Sequence, residues 1–191
     1  MRETLHSHIF KLYSVVFSYP DERLGNWIVN GNLNELFEIS LSSRDHRVIT
    51  YHQWRQVNQE KVDQLLDNLQ SEYTRLFINA YPHLLAPPYA SYYREKTLFG
   101  KTTEMVLALY EHYNVQLSSH TSEMPDHIAL MLEFLFHLTD HSVPSREIKK
   151  IVNDYYKWWV PQWVSRIEAH ATLPFYRISG ISLVNFLESE F

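Results

Sequence analysis

Four glycines in 191 residues, at positions 25, 31, 100 and 180, are the strongest constraint this chain places on its own fold. Tight hairpins and phosphate-cradling loops draw on glycine for backbone angles that other residues resist, so the chain has little material for either. Helices tolerate the shortage best. Apolar residues recur accordingly at intervals of three and four: Leu5, Ile9, Leu12 and Val16 in the first segment, and Val57, Val62, Leu65, Leu66, Leu69, Tyr73, Leu76 and Phe77 in the longest one. That period predicts amphipathic helices over 4–18, 22–29, 33–42 and 53–79. Further helices are expected from Thr102 or Thr103 to Tyr113, from Pro125, from Ser145 with a disturbance at Pro161, and from Pro174 or Phe175 to the end. No strand alternation, repeat or low-complexity segment interrupts this pattern. The predicted class is all-α, a single-domain helical bundle over residues 1–191.

Charge and composition exclude several functions. The formal net charge is −5 and no Lys/Arg cluster forms a basic footprint, so no nucleic-acid partner is expected and a cationic one is favoured. Cysteine is absent, which removes disulfides, thiol catalysis and thiolate metal sites. No apolar run approaches the ~20 residues of a membrane span. The N-terminal stretch is broken by Glu3, His6, His8 and Lys11 and reads as the first helix of a cytoplasmic protein, not an export signal.

The motifs that resemble chemistry have structural readings of equal or greater weight. "GKTTE" at 100–104 copies the end of a phosphate-binding loop, but Glu95 stands where the preceding glycine belongs. Gly100 is read instead as a bend, with Thr102 or Thr103 capping the next helix. Neither H-E-x-x-H nor G-x-S-x-G occurs, so no metal, no cofactor and no catalytic residue is assigned. Glu133 and His137 stand one turn apart, a spacing far commoner for a polar surface pair than for ligands.

Two stretches remain open. In "EMPDHIALMLEFL" (123–135), Pro125 suits the first position of a helix and Asp126 the positive end of its dipole. His127 falls on the apolar side, as a satisfied core residue or as a proton donor or acceptor at a groove edge. In "AYPHLLAPPYASYYREKTLFG" (80–100), three prolines in seven residues forbid a helix. Its tyrosines either plug the bundle or line a groove suited to peptide capture.

Three blocks, in order, resemble the TorD/DmsD/NarJ family of molybdoenzyme maturation chaperones. "YTRLFINAYPHLLAPPYASYYREKTLFG" (73–100) is similar to its Y-x-x-L-F block, which leads into P-P-aromatic-x-S-x-aromatic and L-F-G. "EMPDHIALMLEFL" is similar to its E-x-P-D-H signature, and "RIEAHATLPFYRISGISLVNFL" (166–187) to its closing P-F-Y-R helix. The resemblance spans roughly residues 70–187. It implies an all-helical, non-catalytic protein that binds the twin-arginine signal peptide, and often the body, of an apo form of a molybdenum-cofactor oxidoreductase, delaying export until the cofactor is loaded. The implied peptide-binding residues are Leu76, Phe77, Tyr81, Pro87, Pro88, Tyr89, Tyr93, Asp126 and His127. The sequence departs from the family in having Tyr at 81 and 89, where Trp is frequent, and Ala at 90. Those departures bear on which enzyme is the client. The helices and exposed linkers also permit a monomer or a domain-swapped dimer. Two alternatives stand beside this reading: a chaperone that recognises only the mature body of a redox enzyme, and a small nucleotide-binding protein or hydrolase using Asp126, His127 and Glu133.

Overall fold

In a computed structural model, which describes residues 2–59, 61–79, 83–119 and 121–191, every extended element is helical. The helices are α1 (Arg2–Val16), α2 (Glu22–Asn30), α3 (Asn34–Ser40), α4 (His46–Asn58), α5 (Val62–Tyr73), α6 (Ala90–Glu95), α7 (Lys101–His112), α8 (Ile128–Asp140), α9 (Ser145–Tyr155), α10 (Val160–His170) and α11 (Pro174–Glu190). A π-helical segment, Thr74–Ile78, continues α5. Among the described residues no strand forms, and one antiparallel bridge pairs Tyr89 with His127. None of these helices is long and apolar enough to cross a membrane.

The chain forms two compact units. One comprises the residues up to Ser14 and Pro88–Gln162; the other comprises Val15–Pro87 and Trp163–Phe191. In the first, α8 buries Met131, Leu132, Phe134, Leu135 and Leu138. The Tyr156 hydroxyl, fully buried, donates to the Met131 carbonyl at 2.5 Å, and Tyr110 packs on Phe134 at 4.6 Å between ring centroids. Lys11 reaches Glu133 and so ties α1 to α8.

In the second unit α11 packs against α3 and α4. Glu72, 5% exposed, receives hydrogen bonds from the Thr172 and Leu173 amides at the start of α11 and from Arg75. One buried carboxylate thereby satisfies the two amides that lead into α11. Further along α11, a Cβ on Gly180 would lie 3.1 Å from Val164, so the missing side chain allows α10 and α11 to approach closely.

Several helix boundaries differ from the sequence expectation for identifiable reasons. The helix expected over 53–79 is two helices and a π segment. α4 starts earlier, at His46, where Asp45 caps it by accepting from the Arg47 amide. It ends where the Asn58–Lys61 stretch offers no apolar residue to bury, and Lys61 leaves helical geometry at φ −130° and ψ 55°. Val57, counted in the apolar stripe, is 76% exposed. α7 begins at Lys101, just ahead of the expected start at Thr102 or Thr103, because Gly100 takes the capping position and neither threonine caps it. α8 begins at Ile128 and not at Pro125, because His127 takes the capping position. Asp126 therefore lies outside the helix and shares no face with Glu133 and His137. The start of α11 at Pro174 matches the expectation.

Candidate functional site

Asp126 is fully buried in the first unit, and its contacts explain the surrounding sequence. One carboxylate oxygen accepts from the Ser91 amide at 2.8 Å, the other from the Thr103 hydroxyl at 3.1 Å. Its backbone carbonyl accepts from the Ala90 amide at 3.1 Å, and the following Ile128 amide donates to the Pro88 carbonyl at 2.9 Å. The P-D-H turn and the P-P-Y-A-S stretch are thus joined along their backbones and through one side chain. Tyr110 closes the turn by donating to the Pro125 carbonyl at 2.8 Å. A buried carboxylate is tolerable only when its oxygens are paired in this way.

His127 is 2% exposed and caps α8, with its Nδ1 accepting from the Ala129 amide at 3.2 Å. Nδ1 as acceptor fixes the neutral ring with the proton on Nε2. Burial lowers its pKa to about 4, and the opposing pull of Glu123 and Asp126 is too weak to compensate. The ring stands edge-on to Tyr89 at 5.1 Å. Tyr89 is half-buried, and its hydroxyl donates to the exposed Glu123 at 2.7 Å. Burial first, and Glu123 second, push its pKa upward.

A second carboxylate works at the same end of α7. Glu95 accepts from the Thr102 hydroxyl at 2.7 Å and from its amide at 3.3 Å, capping the helix from outside. A Cβ on Gly100 would lie 2.5 Å from the other Glu95 oxygen, so a larger residue here would have to displace the Glu95 side chain. The two threonines of "GKTTE" are each held by an acid, Glu95 on Thr102 and Asp126 on Thr103, at the positive end of the helix dipole. That arrangement accounts for the motif without a phosphate.

Tyr93, 7% exposed, lies tilted against Trp159 at 5.5 Å and edge-on to Tyr92 at 5.4 Å, all within the first unit. Leu76 and Phe77 lie in the second unit, buried on the π segment. Phe77 meets Tyr73 at 4.9 Å, Tyr176 at 5.5 Å and Trp163 at 6.0 Å. The Leu76 carbonyl accepts from the Ala86 amide at 2.9 Å. Trp163 donates to the Ala86 carbonyl at 3.1 Å, and Arg166 donates to the Leu85 and Leu84 carbonyls. Proline-rich backbone leading to the buried Pro87 is thereby strapped to α10.

Of the nine residues singled out in the sequence, the structure brings together Pro88, Tyr89, Asp126 and His127 in one unit, with Tyr93 on a neighbouring aromatic cluster. Leu76, Phe77 and Pro87 belong to the other unit, and Tyr81 lies outside the described residues. Ser91, Glu95, Thr103, Tyr110 and Arg166 were missed. Ser91 lies inside the P-P-aromatic-x-S motif and Thr103 beside the expected start of α7, so only their long-range partners are hidden from the sequence.

A family model described as nitrate reductase delta subunit matches residues 47–165, which includes the first two motif blocks and ends before the third. The chaperone protein TorD of Shewanella sp. (strain ANA-3) is 29% identical over 109 residues, 55% of this chain and 51% of that protein. The TorD of Aliivibrio salmonicida (strain LFI1238) is 30% identical over 115 residues, 54% of each chain. The chain spans about half the length of these curated relatives in the matched regions. The crystal structure of a putative redox enzyme maturation protein from Archaeoglobus fulgidus aligns over 96% of this chain and 94% of that one, with TM-score 0.66 and 29% identity. With a family model covering more than half of its length and a like fold over nearly all of it, this chain belongs to the TorD-like nitrate reductase delta subunit family.

Proposed function

We propose that this protein is a system-specific cytoplasmic chaperone that binds the catalytic subunit of a molybdenum-cofactor oxidoreductase before cofactor insertion, acting by binding and not by catalysis. The observation that carries this reading is the likeness, over 96% of the chain, to a putative redox enzyme maturation protein. The curated relatives named as chaperones support it. We further propose that the twin-arginine leader of the client is the segment bound. An acidic protein attracts the arginine pair, and aromatic side chains suit the apolar stretch that follows it.

In this reading the nine residues divide by exposure. Tyr89 is half-buried and bonded to exposed Glu123, so this pair offers an aromatic face and a carboxylate for contact. Leu76, Phe77, Pro87, Pro88, Tyr93, Asp126 and His127 are buried and hold the surrounding backbone in shape. Tyr81 stays in the set on the family resemblance alone. The protein acts as one binding module over residues 1–191.

The test is titration of the purified chain with a synthetic twin-arginine leader and its twin-lysine counterpart, followed by fluorescence anisotropy. Tyr89→Ser and Glu123→Gln are expected to weaken leader binding about tenfold each, the scale of a lost contact hydrogen bond to a charged group. Binding of the mature subunit with no affinity for any leader would transfer the reading to a chaperone of the enzyme body.

A further inference from the structure

The ion pair between α1 and α8 stands at the edge of a groove in the first unit. Lys11 Nζ lies 2.5 Å from Glu133 Oε1 and 5.3 Å from the centre of the Phe136 ring, so one ammonium is held between a carboxylate and an aromatic face. Those two groups are what a cationic side chain binds on a protein surface. The pair is open to water, with the Lys11 side chain 37% and the Glu133 side chain 51% exposed. Among the described residues, nothing donates to the second Glu133 oxygen. Glu133 also lines the groove. Leu130, Glu133, Phe134 and His137 project from one face of α8, and Val115 and Leu117 face them from the linker after α7. The volume, about 280 Å³, is small for a cofactor and suits one or two apolar side chains of a polypeptide. Thr121 also lines it and stands two residues before Glu123, so at most about 7 Å of chain separates the groove from the Tyr89–Glu123 pair.

We propose that Glu133 and Phe136 receive an arginine of the client's leader, that apolar residues following it enter this groove, and that Lys11 is a resident competitor displaced on binding. This rests on the leader-binding reading above and adds a subsite to it. Lys11 itself supplies the observation that this spot takes a cation. A guanidinium is planar and carries paired N–H donors, so it engages both carboxylate oxygens while lying on the ring; the Lys11 ammonium makes a single point contact. An exposed pair of that kind is weakly held, so it yields to a better ligand. His137, on the same wall, is shifted toward its neutral form by burial first and by His141 second, so it sets no positive charge against an incoming cation. Lys11 lowers the fraction of molecules whose Glu133 is free, and apparent affinity falls with that fraction. The pair thereby acts as a filter, admitting a leader with arginine ahead of an apolar stretch and refusing weaker cations.

Fluorescence anisotropy of the full chain with a fluorescein-labelled synthetic twin-arginine leader tests this in the parent, Lys11→Met, Glu133→Gln, the double variant and Lys149→Met. Met keeps the unbranched apolar stem of Lys11 and removes its charge. Lys149→Met makes the same change of net charge on the exposed side of α9 and controls for long-range attraction. Circular dichroism checks that each variant is folded. The expected result is binding at least about threefold tighter in Lys11→Met and about tenfold weaker in Glu133→Gln. The double variant should match Glu133→Gln alone, and Lys149→Met the parent. A leader that binds the parent yet is indifferent to Lys11→Met and Glu133→Gln overturns the subsite and leaves the chaperone reading standing. So does a gain that appears equally in Lys149→Met or survives in the double variant. No leader binding by either the parent or Lys11→Met overturns the subsite and the leader reading together.

Discussion

His127 has a neutral ring in a buried capping position, and this makes the folded state sensitive to acid. With its folded pKa depressed to about 4 from the usual 6.5, the unfolded chain binds the extra proton between those values. The contribution of His127 is therefore fully present above about pH 6.5 and is lost progressively as pH falls toward 4. The shift corresponds to roughly 3 kcal/mol. His127→Asn keeps an N-cap acceptor but cannot titrate, so urea unfolding from pH 7 to pH 4 should show a shallower loss of stability in the variant than in the parent. At Asp126, replacement by Ala leaves the buried Ser91 amide and Thr103 hydroxyl without their acceptor, and about 3 kcal/mol of destabilisation is expected in the same unfolding measurement at pH 7. The letters P-D-H identified these residues in the sequence but not their task. A carboxylate beside a helix start reads as a dipole partner from spacing alone, whereas its two acceptor bonds run to residues 35 and 23 positions away.

The start of α7 shows the same limit at the scale of an element. Gly100, Thr102 and Thr103 suggested a local cap, yet the capping oxygen comes from Glu95 across a turn. Gly100→Ala should lower stability by about 1–3 kcal/mol, since its Cβ would overlap Glu95 Oε2, and most of that cost should vanish in a Glu95→Ala background. A cost that persists in the double variant would place the strain elsewhere. Elements built on strong apolar periodicity, such as α8 and α11, were legible because burial of one face dictates them. The break between α4 and α5 was not, because a helical stripe continues in register across four polar residues that end the helix. The π segment at Thr74–Ile78 was also hidden: it coincides with the L-F pair of a motif, and nothing in local spacing distinguishes five residues of π-helix from α-helix.

At the scale of the whole molecule, the all-α class follows from glycine scarcity and helical period, and the TorD-like fold agrees with it across nearly the full chain. Family membership came from motif letters whose physical roles emerged only in three dimensions, where most of them prove to be buried supports. The division into two units was beyond the sequence, since each unit is assembled from segments far apart in the chain. A chaperone dedicated to one enzyme should recover that enzyme above all others. The most direct measurement is affinity capture of the chain from extracts of its own source grown anaerobically, with mass spectrometry of what remains bound. The expected catch is one molybdoenzyme catalytic subunit, still carrying its leader and lacking its cofactor. Repeated recovery of no such subunit, under conditions where these enzymes are shown to be expressed, would contradict it.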